Sequence, residues 1–376
     1  MPRRHVFACL LLVGFLPFFA GTAFAKEVET LEIGKPAPEL DLPGVDGKTY
    51  RLADFADAKV LVVLFTCNHC PTAQAYEDRI ARLEADYRDK GVKLVAISPN
   101  DPLAVRLDEL GYTDIGDSFD EMKLQAKRRG YKFPYLYDGE TQRVSTAFGV
   151  LATPHVFVFD KERKLRYNGR IDDAEIGKPK SDDARNAIDD VLAGRAVRTP
   201  TTKVFGCSTK WADKRENARQ TLAKWDAESV KLEEIEEAAL RELVANKTEK
   251  FRLINVWSTT CAPCISELPE FVTANRMYRG RHFEMYTLTI DPPDRKEAAR
   301  KILDKHHVSC KNFVFHSDDR DKLAEALDSE WKGPVPYTLL VAPGGKIVHR
   351  WKEEIDPAEM KAVLVEHLGR TYASRK

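Results

Sequence analysis

Twice in this chain a short, unbroken apolar run ends on two cysteines spaced three apart, and a segment of helical pattern follows at once. The first is "KVLVVLFTCNHCP", Lys59 to Pro71; the second, about two hundred residues later, is "FRLINVWSTTCAPC", Phe251 to Cys264. Each run is too short for a helix and lacks polar alternation, so it reads as a strand buried on both faces. Such a strand needs a sheet covered by helices, which restricts the fold to an α/β layer architecture.

The segments around each pair repeat one order. After Pro71, "AQAYEDRIARLEADYRDKG" places Ala75, Ile80, Leu83 and Tyr87 near helical spacing and stops at Gly91. A strand "VKLVAISP", a polar insertion with helical potential over Phe119 to Arg129, and the strands "HVFVFD" and "KLRYNGR" follow. The second half has "ISELPEFVTANRMYRG" as a helix, "FEMYTLTID" as a strand and "DRKEAARKILDKHH" as a helix. The hairpin "PYTLLVAPGGKIVHRW", turning at Gly344-Gly345, and a closing helix from Pro357 to Leu368 complete it. The acidic "LEEIEEAALREL", with Leu232, Ile235, Ala239 and Leu243 on one face, reads as the opening helix of that half.

A length of 376 residues favours two domains, each large enough to fold without disulfide staples. The expected division is a signal peptide at 1–25, a first domain at 26–205, a linker at 206–230 and a second domain at 231–376. The leader has basic Arg3 and Arg4, an apolar stretch from Val6 to Ala20, and Ala23 and Ala25 at a cleavage site. That apolar stretch is shorter than the ~20 residues of a membrane span. The mature protein is therefore expected outside the cytoplasm, periplasmic or extracytoplasmic, with no stable membrane insertion. Lysine plus arginine equal aspartate plus glutamate at 59 each, which gives no reason to expect nucleic acid as a partner.

Of seven cysteines, Cys9 leaves with the leader. The two pairs fall where a buried strand meets the next helix. A helix N-terminus presents unpaired N–H groups and the positive end of the macrodipole, which stabilises a thiolate on the first cysteine. The thiolate attacks a disulfide, and the second cysteine resolves the mixed disulfide that results. Haem attachment is excluded because Pro71 and Ile265 follow the pairs where histidine would be required. Two pairs in separate cores cannot share a structural zinc. No cofactor and no metal are expected.

Each half resembles the thioredoxin superfamily. Cys67 to Pro71 with "PND", "FPYLYD", "ATPHVFVFD", "YNGRID" and "FGCSTKW" is similar to the redoxin-type (AhpC/TSA, peroxiredoxin-like) branch, over about Ile33 to Trp211. "WSTTCAPCISELP", "VPYTLLVAPGGKIV" and the closing helix are similar to the TlpA/ResA-type thioredoxins, over about Glu233 to Gly369. The resemblance implies two tandem thioredoxin-like domains, each a central mixed β-sheet flanked by helices. It implies catalysis at Cys67, Cys70, Cys261 and Cys264, with Glu267 as an acid/base beside Cys264. Thr153-Pro154 and Val335-Pro336 would be the cis-proline loops that face the pairs and bind peptide substrates. His69 would place positive charge near the Cys67 thiolate and make the first pair the more oxidising.

There are departures. The Pro-x-x-x-Thr/Ser-x-x-Cys loop of a peroxidatic cysteine is missing at both Cys67 and Cys70, and Thr260 replaces the usual tryptophan before Cys261. Cys207 is a candidate to resolve a mixed disulfide on Cys67; a buried small residue or a partner of Cys310 are its other readings. The expected activity is exported thiol-disulfide oxidoreduction, with protein dithiols and disulfides as substrates and an upstream thiol reductant. The alternatives are a peroxidase with a built-in thioredoxin reductant, and a Cu(I)-binding module using Cys67, Cys70 and His69 or His155, kept reduced by the second domain.

Overall fold

All six residues of Val60–Phe65 are buried in the computed structural model, which describes residues 29–372. Val60, Val62 and Leu64 pack against Tyr76, Ile80 and Leu83 of the helix Pro71–Tyr87. Leu61, Val63 and Phe65 pack on the other face against Phe148, Phe157 and Phe159. Each such side chain gains about 1.5–3 kcal/mol from burial, so this strand anchors both layers of the first half.

The strand lies at the centre of a five-stranded sheet in the order 135–137, 92–98, 60–65, 155–159, 165–169. It runs parallel to Val92–Ser98 and antiparallel to His155–Phe159. The second half has a six-stranded sheet in the order 232–235, 311–315, 283–289, 251–257, 337–341, 347–351. Its central strand Phe251–Trp257 is again parallel to one neighbour, Phe283–Thr289, and antiparallel to the other, Tyr337–Val341. This shared register has a functional consequence. Phe65 lies opposite His155, and Val256 opposite Tyr337. The chain leaving each central strand toward the cysteines thus meets the X-Pro segment entering the antiparallel strand. The fold is thioredoxin-like, present twice.

Several elements lie where the sequence places them. The insertion helix spans Phe119–Arg129, with Ser118 and Glu121 forming a capping box and Gly130 ending it at φ 62°. The hairpin turns at Gly344 and Gly345, with φ of 83° and 84°, and the closing helix is Pro357–Leu368. The acidic segment departs from expectation. Leu232–Ile235 is an edge strand parallel to Lys311–Phe315, and the helix starts only at Glu237. Leu232 and Ile235 each bury against the core from that edge, which a helix starting earlier would prevent.

The expected linker is ordered. Asn168 N–H donates to Pro200, Thr202 N–H to Asn168, and Cys207 pairs antiparallel with Thr153, so residues 200–208 are bonded onto the first half. A helix, Arg215–Asp226, follows. The halves also dock directly. Leu107 and Leu110 pack with Phe271 and Tyr278, the Tyr278 hydroxyl donates to the Thr113 carbonyl at 2.9 Å, and Arg370 pairs with buried Asp114 at 2.6 Å. Gly111 comes so close to the helix Ala262–Tyr278 that an added Cβ would lie 2.8 Å from the Met277 carbonyl oxygen. The expected leader lies outside the described residues. Among the described residues, no helix is long and apolar enough to cross a membrane.

Candidate active sites

In the first half, Cys67 and Cys70 are buried thiols. The helix begins at Pro71, which makes Cys70 its N-cap. In the second half the helix begins at Ala262, and Cys261 is the N-cap. The two pairs are thus offset by nearly one turn relative to their helices, and the helix N-terminus favours a different cysteine in each.

His69 and Asp117 form the electrostatic centre of the first site. Asp117, from the loop before the insertion helix, accepts from His69 Nδ1 at 2.5 Å, Asn100 Nδ2 at 2.7 Å, Asn68 N–H at 2.8 Å and His69 N–H at 3.1 Å. Burial opposes its charge, but His69 and these donors hold its carboxyl below the ordinary range. Burial likewise opposes charge on His69, yet Asp117 raises its pKa on balance. Each partner thus favours the charged form of the other across their 2.5 Å contact.

This corrects the expectation for His69. Burial pushes the Cys67 thiol up, as do its hydrogen bond to Cys70 and the negative charge of Asp117. Burial also opposes ionisation of Cys70. There, however, hydrogen bonds from Cys207 and Cys67, the charge of His69 and the Ala73 N–H outweigh it and pull Cys70 well below the usual thiol range. The positive charge of His69 is felt by Cys70, whereas Cys67 feels the negative charge of Asp117. Asp117, Asn100 and Asn68 were not identified from sequence. Asn100 belongs to the "PND" signature, but nothing local marks Asp117.

Thr153-Pro154 is a cis peptide bond. The Thr153 hydroxyl lies 3.1 Å from Cys67 Sγ, and its carbonyl accepts from Cys70 Sγ at 3.5 Å. His155, next in sequence, is a buried core residue. Its Nδ1 accepts the Leu151 N–H at 3.4 Å, and burial lowers its pKa to about 3. Cys207 packs against Cys67, Cys70 and Ala73. Among the described residues, Cys67, His69 and Asp117 also bring a thiol, an imidazole nitrogen and a carboxylate oxygen within 4.8 Å of one another.

In the second half Cys261 and Cys264 form a disulfide with Cα atoms 5.3 Å apart. Cys264 is buried, Cys261 is partly exposed, and Cys264 N–H points to Cys261 Sγ at 3.3 Å. Val335-Pro336 is cis, and Val335 packs in the cluster that holds both cysteines. Glu267 is buried. It accepts from Asn255 Nδ2 at 3.3 Å and from the Ile355 N–H at 3.2 Å, and desolvation raises its pKa to about 7 against those donors. A surface role for Glu267 is thereby excluded. Cys310 packs within the second half, where burial pushes its thiol up to about 12. His307 is exposed at a helix end, its Nδ1 3.0 Å from the Asp226 carbonyl.

The AhpC/TSA family matches residues 33–168 and again 203–350. The thiol-disulfide oxidoreductase ResA of Bacillus thuringiensis subsp. konkukian is 27% identical over 163 residues, 43% of this chain and 83% of its own. The thiol:disulfide interchange protein DsbE of Yersinia pestis is 26% identical over 163 residues, 42% of this chain and 76% of its own. A crystal structure of a hypothetical protein from Sinorhizobium meliloti 1021 shares 35% identity over 49% of this chain and 97% of its own, with a TM-score of 0.44. The chain belongs to the AhpC/TSA family, as a thioredoxin-like thiol-disulfide oxidoreductase of the ResA and DsbE type.

Proposed function

We propose that this protein is exported and moves electrons between protein dithiols and disulfides through two sites, Cys67/Cys70 and Cys261/Cys264. One observation carries the reading: in both halves the cysteines leave a buried central strand at the point where an X-Pro loop enters its antiparallel neighbour. At such a junction a dithiol can open and close without disturbing the core. Thr153, Pro154, Val335 and Pro336 line the place where an extended substrate chain would lie. The domain boundaries fall within 206–230, and the leader 1–25 directs export.

Glu267 is suited to give and take the proton of Cys264, because its raised pKa lies near neutrality. Stabilising a thiolate stabilises the reduced form of a pair. The positive charge of His69 beside Cys70 therefore favours electron flow from Cys261/Cys264, loaded by an upstream thiol reductant, to Cys67/Cys70.

Trapping tests the reading. Cys67→Ser leaves Cys70, the cysteine favoured as a thiolate, without the partner that would release it from a mixed disulfide, and Cys264→Ser does the same for Cys261. Each variant, expressed with its leader, is expected to retain covalently bound proteins outside the cytoplasm. Variants that capture nothing, or that remain inside the cell, would refute it.

The Cys67 thiol and His69 imidazole of that cluster favour a second reading, a site for a soft metal such as Cu(I). The metal would have to displace the 2.5 Å bond between His69 and Asp117. Metal analysis of protein purified under reducing conditions separates the two readings, since a pure oxidoreductase comes out empty.

A further inference from the structure

The segment that carries Cys207 is built to bring that residue to the first site. Gly206 has φ 136°, and a Cβ there would lie 2.1 Å from the Thr153 carbonyl oxygen, so only glycine allows this approach. Cys207 then pairs with Thr153, the residue whose hydroxyl and carbonyl contact Cys67 and Cys70. Beyond it, Lys210 fixes the strand from both sides. Its N–H donates to Asn100 Oδ1 at 2.9 Å, its carbonyl accepts from Asp101 N–H at 3.0 Å and Gln142 Nε2 at 2.9 Å, and its ammonium pairs with Glu109 at 2.6 Å.

We propose that Cys207 is a third redox-active cysteine of the first site, one that attacks Cys70 in the Cys67–Cys70 disulfide. The step is a thiol-disulfide exchange. The Cys207 thiolate forms a new bond to Cys70 Sγ, the Cys67–Cys70 bond breaks, and Cys67 leaves as a thiolate. The proton given up by Cys207 is balanced by the one Cys67 takes. No electrons enter or leave, so no further oxidant is required. Cys207 packs against both sulfurs but hydrogen-bonds to Cys70, which makes Cys70 the sulfur attacked; this departs from the expected resolution of Cys67.

The exchange has a use. Cys67 and Cys70 are buried, whereas Cys207 is partly exposed. Moving the disulfide to Cys70–Cys207 returns Cys67 to the thiol form and brings the oxidised bond to the sulfur that a reductant can approach. Tyr372, from the C-terminal segment of the second half, hydrogen-bonds to Cys207, so this exit lies at the junction of the halves.

The inference rests on the proposed dithiol chemistry of Cys67 and Cys70, and one set of full-length variants tests both. Each is oxidised with glutathione disulfide and its disulfides are mapped by peptide mass spectrometry without reduction. Wild-type protein and Cys67→Ser are expected to yield a Cys70–Cys207 cross-link, which Cys207→Ser loses while retaining Cys67–Cys70. Absence of the Cys70–Cys207 cross-link from wild type and from Cys67→Ser would overturn the step, as would a Cys67–Cys207 cross-link in Cys70→Ser. If Cys207→Ser also fails to form Cys67–Cys70, the proposed function falls with it.

Discussion

Glu267 holds its proton to about pH 7 because desolvation outweighs the two donors that face its carboxylate. The unfolded chain releases the same proton near 4.5. Between those values the folded state binds more proton than the unfolded one, so stability falls as pH rises. The contribution is fully present below about 4.5 and lost by about 7. We expect the urea midpoint of the wild-type protein to decline through this window, and Glu267→Gln to flatten that decline. An equal slope in both proteins would show that Glu267 does not titrate there. The same residue illustrates what one dimension hides. Its place three residues after Cys264 is visible in the sequence, but its burial against Ile355 is a long-range contact.

At the scale of elements, the ribbon between Ala152–Thr153 and Cys207–Ser208 joins the expected linker to the first site. Gly206→Ala would drive a methyl group into the Thr153 carbonyl while demanding a backbone conformation that alanine rarely adopts. A cost of about 1–3 kcal/mol is expected, typical of residues forced into sparsely populated backbone regions. Loss of the Cys70–Cys207 cross-link should accompany it, because the ribbon would detach before the core unfolds. Chemical denaturation and peptide mapping of the same preparation check both. The other element-level surprise, the strand at Leu232–Ile235, arose because a four-residue edge strand with buried ends has too little sequence to show a period. Its glutamates matched the helix that starts directly after it.

Across the whole molecule, the docked halves hold the two cysteine pairs apart. The helix Ala262–Tyr278 meets the first half through its C-terminal end, near Tyr112 and Thr113, and carries Cys261 at its start. Seventeen residues of helix span roughly 25 Å at 1.5 Å each. We expect direct exchange between the pairs to require the halves to separate, after which tethering maintains an effective concentration on the order of millimolar. Arg281 is central to the docked state: it stacks on Tyr112 at 3.7 Å and donates to the carbonyls of Gly111 and Leu368. Arg281→Ala is expected to speed electron transfer from Cys261/Cys264 to Cys67/Cys70 severalfold in stopped-flow measurements. A slower or unchanged rate would argue that the docked form is itself competent, or that an external carrier connects the pairs.

The repeated strand, cysteine pair and helix, the X-Pro segments before the hairpins, and most helix limits are legible in the chain before it folds. Those features depend on local periodicity, on capping residues such as Ser118 and on glycines such as Gly130 and Gly344, all of which act within a few residues of where they are written. Which cysteine of the first pair is favoured as a thiolate emerges from long-range packing. That outcome depends on Asp117, 48 positions from His69, and on Cys70 standing at the N-cap position that Cys261 takes in the second half. The same packing returns Cys207 to Cys70 and docks the halves away from the second pair. Such contacts join segments with no shared pattern, and their energies depend on burial, which exists only once the sheets have closed.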